Sequence, residues 1–310
     1  MKNLKDYRLV FMGTPHIAAE VFEALIKAGY NFVGLIAQED KPVGRKGILE
    51  PVATKAVALK YNIPVFQPHI VRLDYEFARE LKPDLILTMA YGQIIPQGLL
   101  DIPALGCLNL HGSILPKYRG AAPIQRAIIN GETKTGITLM QMVDKMDAGK
   151  MYAVEEVEIA ESDNYTSLCE KMAQAAIKVS LDNLPKYLAN ELPGVDQDES
   201  LVTIANKIKA ENEKLDLSMG CSNFVNYVRG LSDEPGAYLL LGENKFKILA
   251  AHKFSDEVGE VGKLNIAKNL TLQLVDGKVI LDMVQLEGKK RMDGKSFANG
   301  NKQFDGVMLK

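Results

Sequence analysis

Tryptophan is absent from the 310 residues, and cysteine and histidine are scarce, with three and four copies. The cysteines, Cys107, Cys169 and Cys221, are odd in number and far apart. They form neither a CxxC pair nor a disulfide framework, so a reducing, cytoplasmic setting is expected. The histidines, His16, His69, His111 and His252, include no pair at ligand spacing, so no metal is expected. No apolar run reaches the roughly 18 to 20 residues of a membrane span. The first residues, broken by Lys2, Lys5 and Asp6, lack the apolar stretch of a signal peptide. Neither G-x-G-x-x-G nor G-x-x-x-x-G-K-S/T occurs, which disfavours a dinucleotide or P-loop site. No serine has the G-x-S-x-G setting of a nucleophile elbow. A strong charge of either sign is lacking as well, the net value being −2. Residues 206–310 carry 16 Lys and Arg against 14 Asp and Glu, only slight support for a nucleic-acid face.

The composition that is present is that of a soluble globular protein, 47% hydrophobic and 25% charged. The length suggests two domains. Tyr7–Met12 reads as a buried parallel strand ending at Gly13-Thr14-Pro15, followed by a helix over Ala18–Ala28 and a second strand over Asn31–Ala37. This βαβ order predicts a doubly wound, mostly parallel sheet. Gly13 reads as a turn glycine that lets strand and helix pack closely, with a ligand-facing backbone as the alternative. Gln38–Pro51 reads as a polar loop. Further segments alternate: a helix over Val52–Tyr61, a strand at Val65-Phe66, a helix over Asp74–Lys82 and strands over Asp84–Met89 and Leu105–Leu110. Ala90-Tyr91-Gly92-Gln93 then falls on a strand's C-terminal edge, where open α/β sheets bind ligands. A helix begins at Ile124–Ile129, strands cover Gly136–Val143 and Lys150–Ile159, and a long helix covers Tyr165–Leu188. Residues 1–190 are expected to form the catalytic domain and 191–205 a linker. The rest, 206–310, with short strands punctuated by Gly242, Gly262, Gly277 and Gly288, is expected to form a small antiparallel barrel.

The chemistry concentrates between Leu108 and Gly149. If the strand persists, Cys107, Asn109 and His111 share one face. An asparagine amide offers two N–H donors to a developing oxyanion, and an imidazole moves protons near neutral pH. A structural histidine at a strand end is the plainer reading of His111. Ser113 is explained by loop capping as well as by nucleophilic attack, and Cys107 reads as a buried strand thiol because nothing cationic flanks it. Spacing does not choose between Asp144 and Asp147 as the carboxylate partner of His111, and either could be a turn residue.

The run Asn109-Leu110-His111-Gly112-Ser113-Ile114-Leu115-Pro116-Lys117-Tyr118-Arg119-Gly120-Ala121-Ala122-Pro123-Ile124 resembles the signature of the folate-dependent formyltransferases. Gln125–Ile128, Gly136–Met142, Asp147-Ala148-Gly149, Met12–Pro15, Lys41–Arg45, Ala90–Ile94 and Glu287–Met292 are similar to the branch that acts on methionyl-tRNA, so the likeness spans nearly the whole chain. It implies transfer of formyl from 10-formyltetrahydrofolate to the α-amine of methionine on initiator tRNA; a monomer without a metal or membrane partner is expected. It also implies a doubly wound N-terminal domain and a C-terminal barrel resembling the OB fold. Asn109, His111 and Asp147 fall on its catalytic positions. Ser113, Ile114, Leu115 and Pro116, together with Met89, Ala90, Tyr91 and Gly92, are expected to bind the folate. Arg45 and Lys46 fall on the segment that meets the tRNA acceptor end, and Lys289, Lys290 and Arg291 are expected to contact tRNA phosphates. The chain departs from the family in lacking tryptophan, at Asp233-Glu234-Pro235-Gly236 and in Asp216-Leu217-Ser218. A formyltransferase for a small amine or amino sugar is the main alternative, and an inactive folate- or RNA-binding protein the second. The C-terminal domain and the Arg45 loop favour tRNA over the first, and the trio of Asn109, His111 and Asp147 favours catalysis over the second.

Overall fold

The structure is a computed structural model that describes residues 3–43 and 47–310. Arg45 and Lys46, expected at the tRNA end, lie outside the described residues. In chain order the elements are β1 (Leu9–Gly13), α1 (His16–Lys27), β2 (Phe32–Ile36), β3 (Lys41–Val43), β4 (Ile48–Glu50), α2 (Ala53–Lys60), β5 (Val65–Phe66), α3 (Phe77–Glu80), β6 (Leu85–Met89), α4 (Gln97–Leu100), β7 (Cys107–His111) and β8 (Arg119–Gly120). There follow α5 (Pro123–Ile129), β9 (Lys134–Gln141), β10 (Met151–Glu158), α6 (Tyr165–Leu188), β11 (Ile204–Ala205), α7 (Cys221–Leu231), β12 (Ala237–Leu241), β13 (Asn244–Ser255), β14 (Leu264–Ile266), β15 (Leu270–Leu274), β16 (Gly277–Leu286), β17 (Met292–Asp293) and α8 (Gly294–Gly300).

The chain packs into two compact units. The first comprises residues 1–121, 135–158 and 169–205, and the second 122–134, 159–168 and 206–310. In the first unit the strand order is β10-β9-β7-β6-β1-β2-β5. The pairs β2–β5, β1–β2, β1–β6 and β6–β7 are parallel and β7–β9 is antiparallel. Every residue of β1 and β6 is buried, which is why both read as continuous apolar runs rather than alternating ones. The chain winds from β1 outward to β5, then returns to β6 on the other side of β1. Their C-terminal ends therefore diverge into a crevice. Gly13 stands at that point: a Cβ there would lie 2.7 Å from the carbonyl oxygen of Met89 and 2.9 Å from Cβ of Ala18. Close packing, not exposure to a ligand, accounts for this glycine.

Two stretches differ from their sequence reading. Within 38–51, read as a polar loop, β3 pairs antiparallel with β4. The base of this pair is closed by Asp40, which accepts from the Val52 amide at 3.3 Å and pairs with Lys55. Alternating charge and glycine concealed a pairing that depends on this distant clamp. The helix expected over 74–82 shrinks to the single turn α3, and Lys82 takes a φ of 45° that ends it.

In the second unit the antiparallel sheet runs β12-β13-β16-β15-β14, with β17 on β16. Its inner face and the buried face of α7 share a core built on Phe224, Val228, Phe246, Ile248, Leu272 and Leu281. Helix α5 packs on α7 at Gly230, where a Cβ would come within 2.6 Å of Ile129. A glycine inside a helix costs up to about 1 kcal/mol, and the close helix contact is what it is exchanged for.

Candidate active site

Strand β7 persists to His111, so Asn109 and His111 project from the same side of the sheet at its C-terminal edge. Asn109 is half-buried, and its carboxamide is engaged by no described residue. His111 is 4% exposed. Its Nε2 lies 2.9 Å from the carbonyl oxygen of Tyr118. A carbonyl only accepts, so this nitrogen carries the proton in that bond. The other nitrogen, Nδ1, is 3.6 Å from Oδ1 of Asp147, a close approach rather than a hydrogen bond.

Asp147 divides its carboxylate between two tasks. Oδ2 accepts from the Gly120 amide at 2.8 Å, and Oδ1 faces His111. The carboxylate is 14% exposed, so little water competes for it. Asp144, the other aspartate of the same loop, is exposed. The tertiary fold thus makes the choice between the two that their spacing left open. Asp147 sits at φ 50°, a left-handed conformation that aspartate tolerates better than most residues. The bend ends at Gly149, where a Cβ would lie 2.1 Å from the Gln141 carbonyl oxygen.

The 113–116 segment follows directly. The Ser113 hydroxyl donates to the Lys117 carbonyl at 2.6 Å, and Thr138 donates to the Ser113 carbonyl at 2.7 Å. Ser113 is wholly buried, so its hydroxyl serves the loop's shape. The Leu115 amide donates to the Thr138 hydroxyl at 3.1 Å. At the C-terminal end of the neighbouring strand β6, Met89 and Tyr91 are buried while Ala90 and Gly92 are exposed with φ of 50° and 93°. The Tyr91 carbonyl accepts from Thr14 and Gln38, and burial pushes its phenol up to about 12. The buried Tyr91 hydroxyl finds no hydrogen-bond partner among the described residues, and neither does Thr88, the register partner of Asn109. Cys107 is a buried strand thiol, pushed up to about 12 by burial and then by Asp101. It is no nucleophile at neutral pH. Among the described residues no three His, Cys, Asp or Glu side chains gather as metal ligands.

Lys289, Lys290 and Arg291 all stand exposed in the turn between β16 and β17 of the second unit. Gln285 donates to the Lys289 carbonyl at 2.9 Å and closes that turn. Arg291 is 3.6 Å from Asp233.

Several residues of the site escaped the sequence reading. Arg119 is a buried cation, 3.0 Å from the Gln197 carboxamide oxygen and 2.7 Å from Glu199. Tyr118 and Arg119 donate their amides to Thr203 at 2.9 Å each, and β11 pairs in parallel with β8. The polar run Asp196-Gln197-Asp198-Glu199 looks solvated in one dimension, and nothing in it signals bonds to a loop some eighty residues earlier.

The sequence pattern of the formyl transferase family matches residues 7–184, and that of the formyl transferase C-terminal domain matches 207–302. The methionyl-tRNA formyltransferase of Malacoplasma penetrans is 39% identical over 312 residues, covering 99% of this chain and 98% of its own length. That of Bacillus subtilis is 42% identical over 299 residues, covering 94% of each. Among solved structures, an N-formyltransferase from Helicobacter canadensis, in complex with folinic acid and dTDP-3-aminofucose, aligns with a TM-score of 0.69 at 18% identity, over 89% of this chain and 98% of that one. HypX from Aquifex aeolicus, in complex with tetrahydrofolic acid, aligns at 0.67 and 17% identity, over 96% of this chain and 47% of its own. At such identities these two speak for the fold.

Glu199 provides a pH handle on the loop. Arg119 first, then Lys145, hold its carboxyl at about 2, against an ordinary 4.5. A carboxyl lowered in the folded state adds stability that is complete above its unfolded value and disappears as pH falls through the folded one. The urea midpoint should therefore drop between about pH 4.5 and 2, and Glu199→Gln should flatten that part of the curve. Equal slopes in both proteins would refute the assignment.

Proposed function

The chain belongs to the methionyl-tRNA formyltransferase family, and from that premise we infer that it transfers the formyl group of 10-formyltetrahydrofolate to the α-amine of methionine on initiator tRNA, the formylation that serves translation initiation. The observation that carries this reading is near-full-length similarity at about 40% identity in a chain that gathers Asn109, His111 and Asp147 at one sheet edge. An enzyme for a small amine or sugar shares the fold and the first unit's chemistry. The near-full-length identity to methionyl-tRNA formyltransferases favours the tRNA substrate.

The reaction asks little of a base, because an α-amine titrates near 7.7 to 8.0 and is partly free at pH 7. Its nitrogen adds to the formyl carbon, and the carbonyl electrons move to oxygen. As the intermediate collapses, the bond from carbon to folate N10 breaks, N10 gains a proton and the new amide nitrogen loses one. Asn109 donates to the oxyanion, an interaction worth roughly 2.7 to 4 kcal/mol of barrier. His111, anchored through Nε2–H on Tyr118, presents Nδ1 as the nitrogen that exchanges the proton. Asp147 orients the ring and compensates charge on it. The folate lies along the crevice between the 89–92 and 113–116 segments, held by backbone groups and by the shape that Ser113 and Thr138 maintain. In the second unit, Lys289, Lys290 and Arg291 contact tRNA phosphates as diffuse charges.

The deciding assay offers 10-formyltetrahydrofolate with either methionyl initiator tRNA or glycinamide ribonucleotide. Formylation of the tRNA alone is expected, and formylation of the nucleotide alone would reject the reading. Asn109→Ala should lower kcat about 10² to 10³-fold with both KM values little changed. Affinity for tRNA should fall steeply between about 50 and 200 mM salt, and replacing Lys289, Lys290 and Arg291 by alanine should make the slope shallower. A salt-independent affinity would remove those three residues from the interface.

A further inference from the structure

We propose that Gln197 is a positioning residue for the reaction, holding Asp147 against His111 through the backbone of the 147–149 bend. The inference rests on the function inferred above and adds a residue that acts without touching either substrate. The two donors of the Gln197 carboxamide go to the Asp147 carbonyl at 2.7 Å and the Gly149 carbonyl at 2.8 Å. Its oxygen accepts from Arg119 Nε at 3.0 Å. One planar amide therefore joins the two loops that grip His111 from opposite sides: 118–120, which supplies the Tyr118 carbonyl and the Gly120 amide, and 147–149, which supplies the carboxylate.

Three features separate this from ordinary linker packing. Both donors end on the bend carrying Asp147, whose φ of 50° must be imposed by its surroundings. The amide is itself held: Arg119 is 4% exposed and its Nη2 meets Glu199 at 2.7 Å, so the guanidinium has a fixed place from which to orient the Gln197 Oε1. The strand pairing after Gln197 also fixes the register of the strap. Ala205 lies opposite Gly120, where φ is 121° and a Cβ would sit 2.7 Å from the Ala205 carbonyl oxygen. A small rotation of the bend would move Oδ1 off the imidazole, and displacements of about 1 Å at a reacting constellation cost as much as 10²-fold.

The test compares the full-length wild type with Gln197→Leu, alone and in an Asp147→Asn background, by steady-state formylation of methionyl initiator tRNA. The expected result is a fall in kcat of about tenfold or more with both KM values unchanged, and no further loss when Gln197→Leu is added to Asp147→Asn. Unchanged kcat, or losses that multiply in the double variant, would overturn the proposal. Should the leucine variant fail to fold, Gln197→Glu replaces it: the ionised carboxylate still accepts from Arg119 but has no donor for the two carbonyls, so the same loss is expected and full activity overturns the idea. An inactive wild type would instead strike at the inferred reaction, which keeps the two failures apart.

Discussion

The carboxylate of Asp147 is the point on which the geometry around His111 turns. One oxygen is committed to the Gly120 amide and the other stands 3.6 Å from His111 Nδ1. A carboxylate with both oxygens in water could not define the ring's orientation. Here one oxygen is spent on anchoring so that the other has a direction. The ring has its own anchor in the Tyr118 carbonyl, and that carbonyl belongs to the same short loop as Gly120. Acid and imidazole are thus referenced to one piece of backbone, and errors in their separation are suppressed by geometry rather than by the strength of any single bond.

That piece of backbone needs support, because both loops carry strained residues. Tyr118 and Asp147 have φ of 62° and 50°, conformations that cost L side chains free energy and persist only when neighbours over-determine them. The support comes from the far end of the first unit. Thr203 receives two amides, Gln197 spans both loops, and Arg119 is buried with its charge met by Glu199. Removing one partner of a buried cation is costly, so this polar cluster behaves as a unit. A long excursion of chain, through α5, β9, β10 and α6, separates the 118–120 loop from the segment that braces it.

The parallel sheet contributes a different constraint. Because β1 and β6 are neighbours with their connections leaving in opposite directions, their C-terminal ends open a crevice without any residue being spent to make it. Gly13 lets the strands close against α1 beneath it, while Ala90 and Gly92 turn outward above it. Ser113 and Thr138 shape the loop after β7 with hydroxyls that never face solvent. The second unit answers to another logic. Its apolar sheet face and α7 make a conventional core, and its basic residues are gathered in one exposed turn.

Much of this was legible in one dimension. The alternation of apolar strands and amphipathic helices through Leu188 follows from hydrophobic period, which every residue reports locally. The pairing of Asn109 with His111 on one strand face follows from the two-residue repeat. The asparagine, histidine and aspartate were named from motif, as was the family, since side-chain type is what a motif records. Spacing alone left open which aspartate meets the imidazole, and the resemblance pointed to Asp147; the contact itself exists only in the folded chain, because Asp144 and Asp147 have equal standing in a turn until a partner thirty-odd residues away faces one of them. The same holds for the pairing of 41–43 with 48–50, for the short extent of α3, and for Gln197. Backbone carbonyls and amides do most of the holding in this site, and every residue has them. Their use depends on which distant segment arrives beside them, so no reading of residue types alone can assign it.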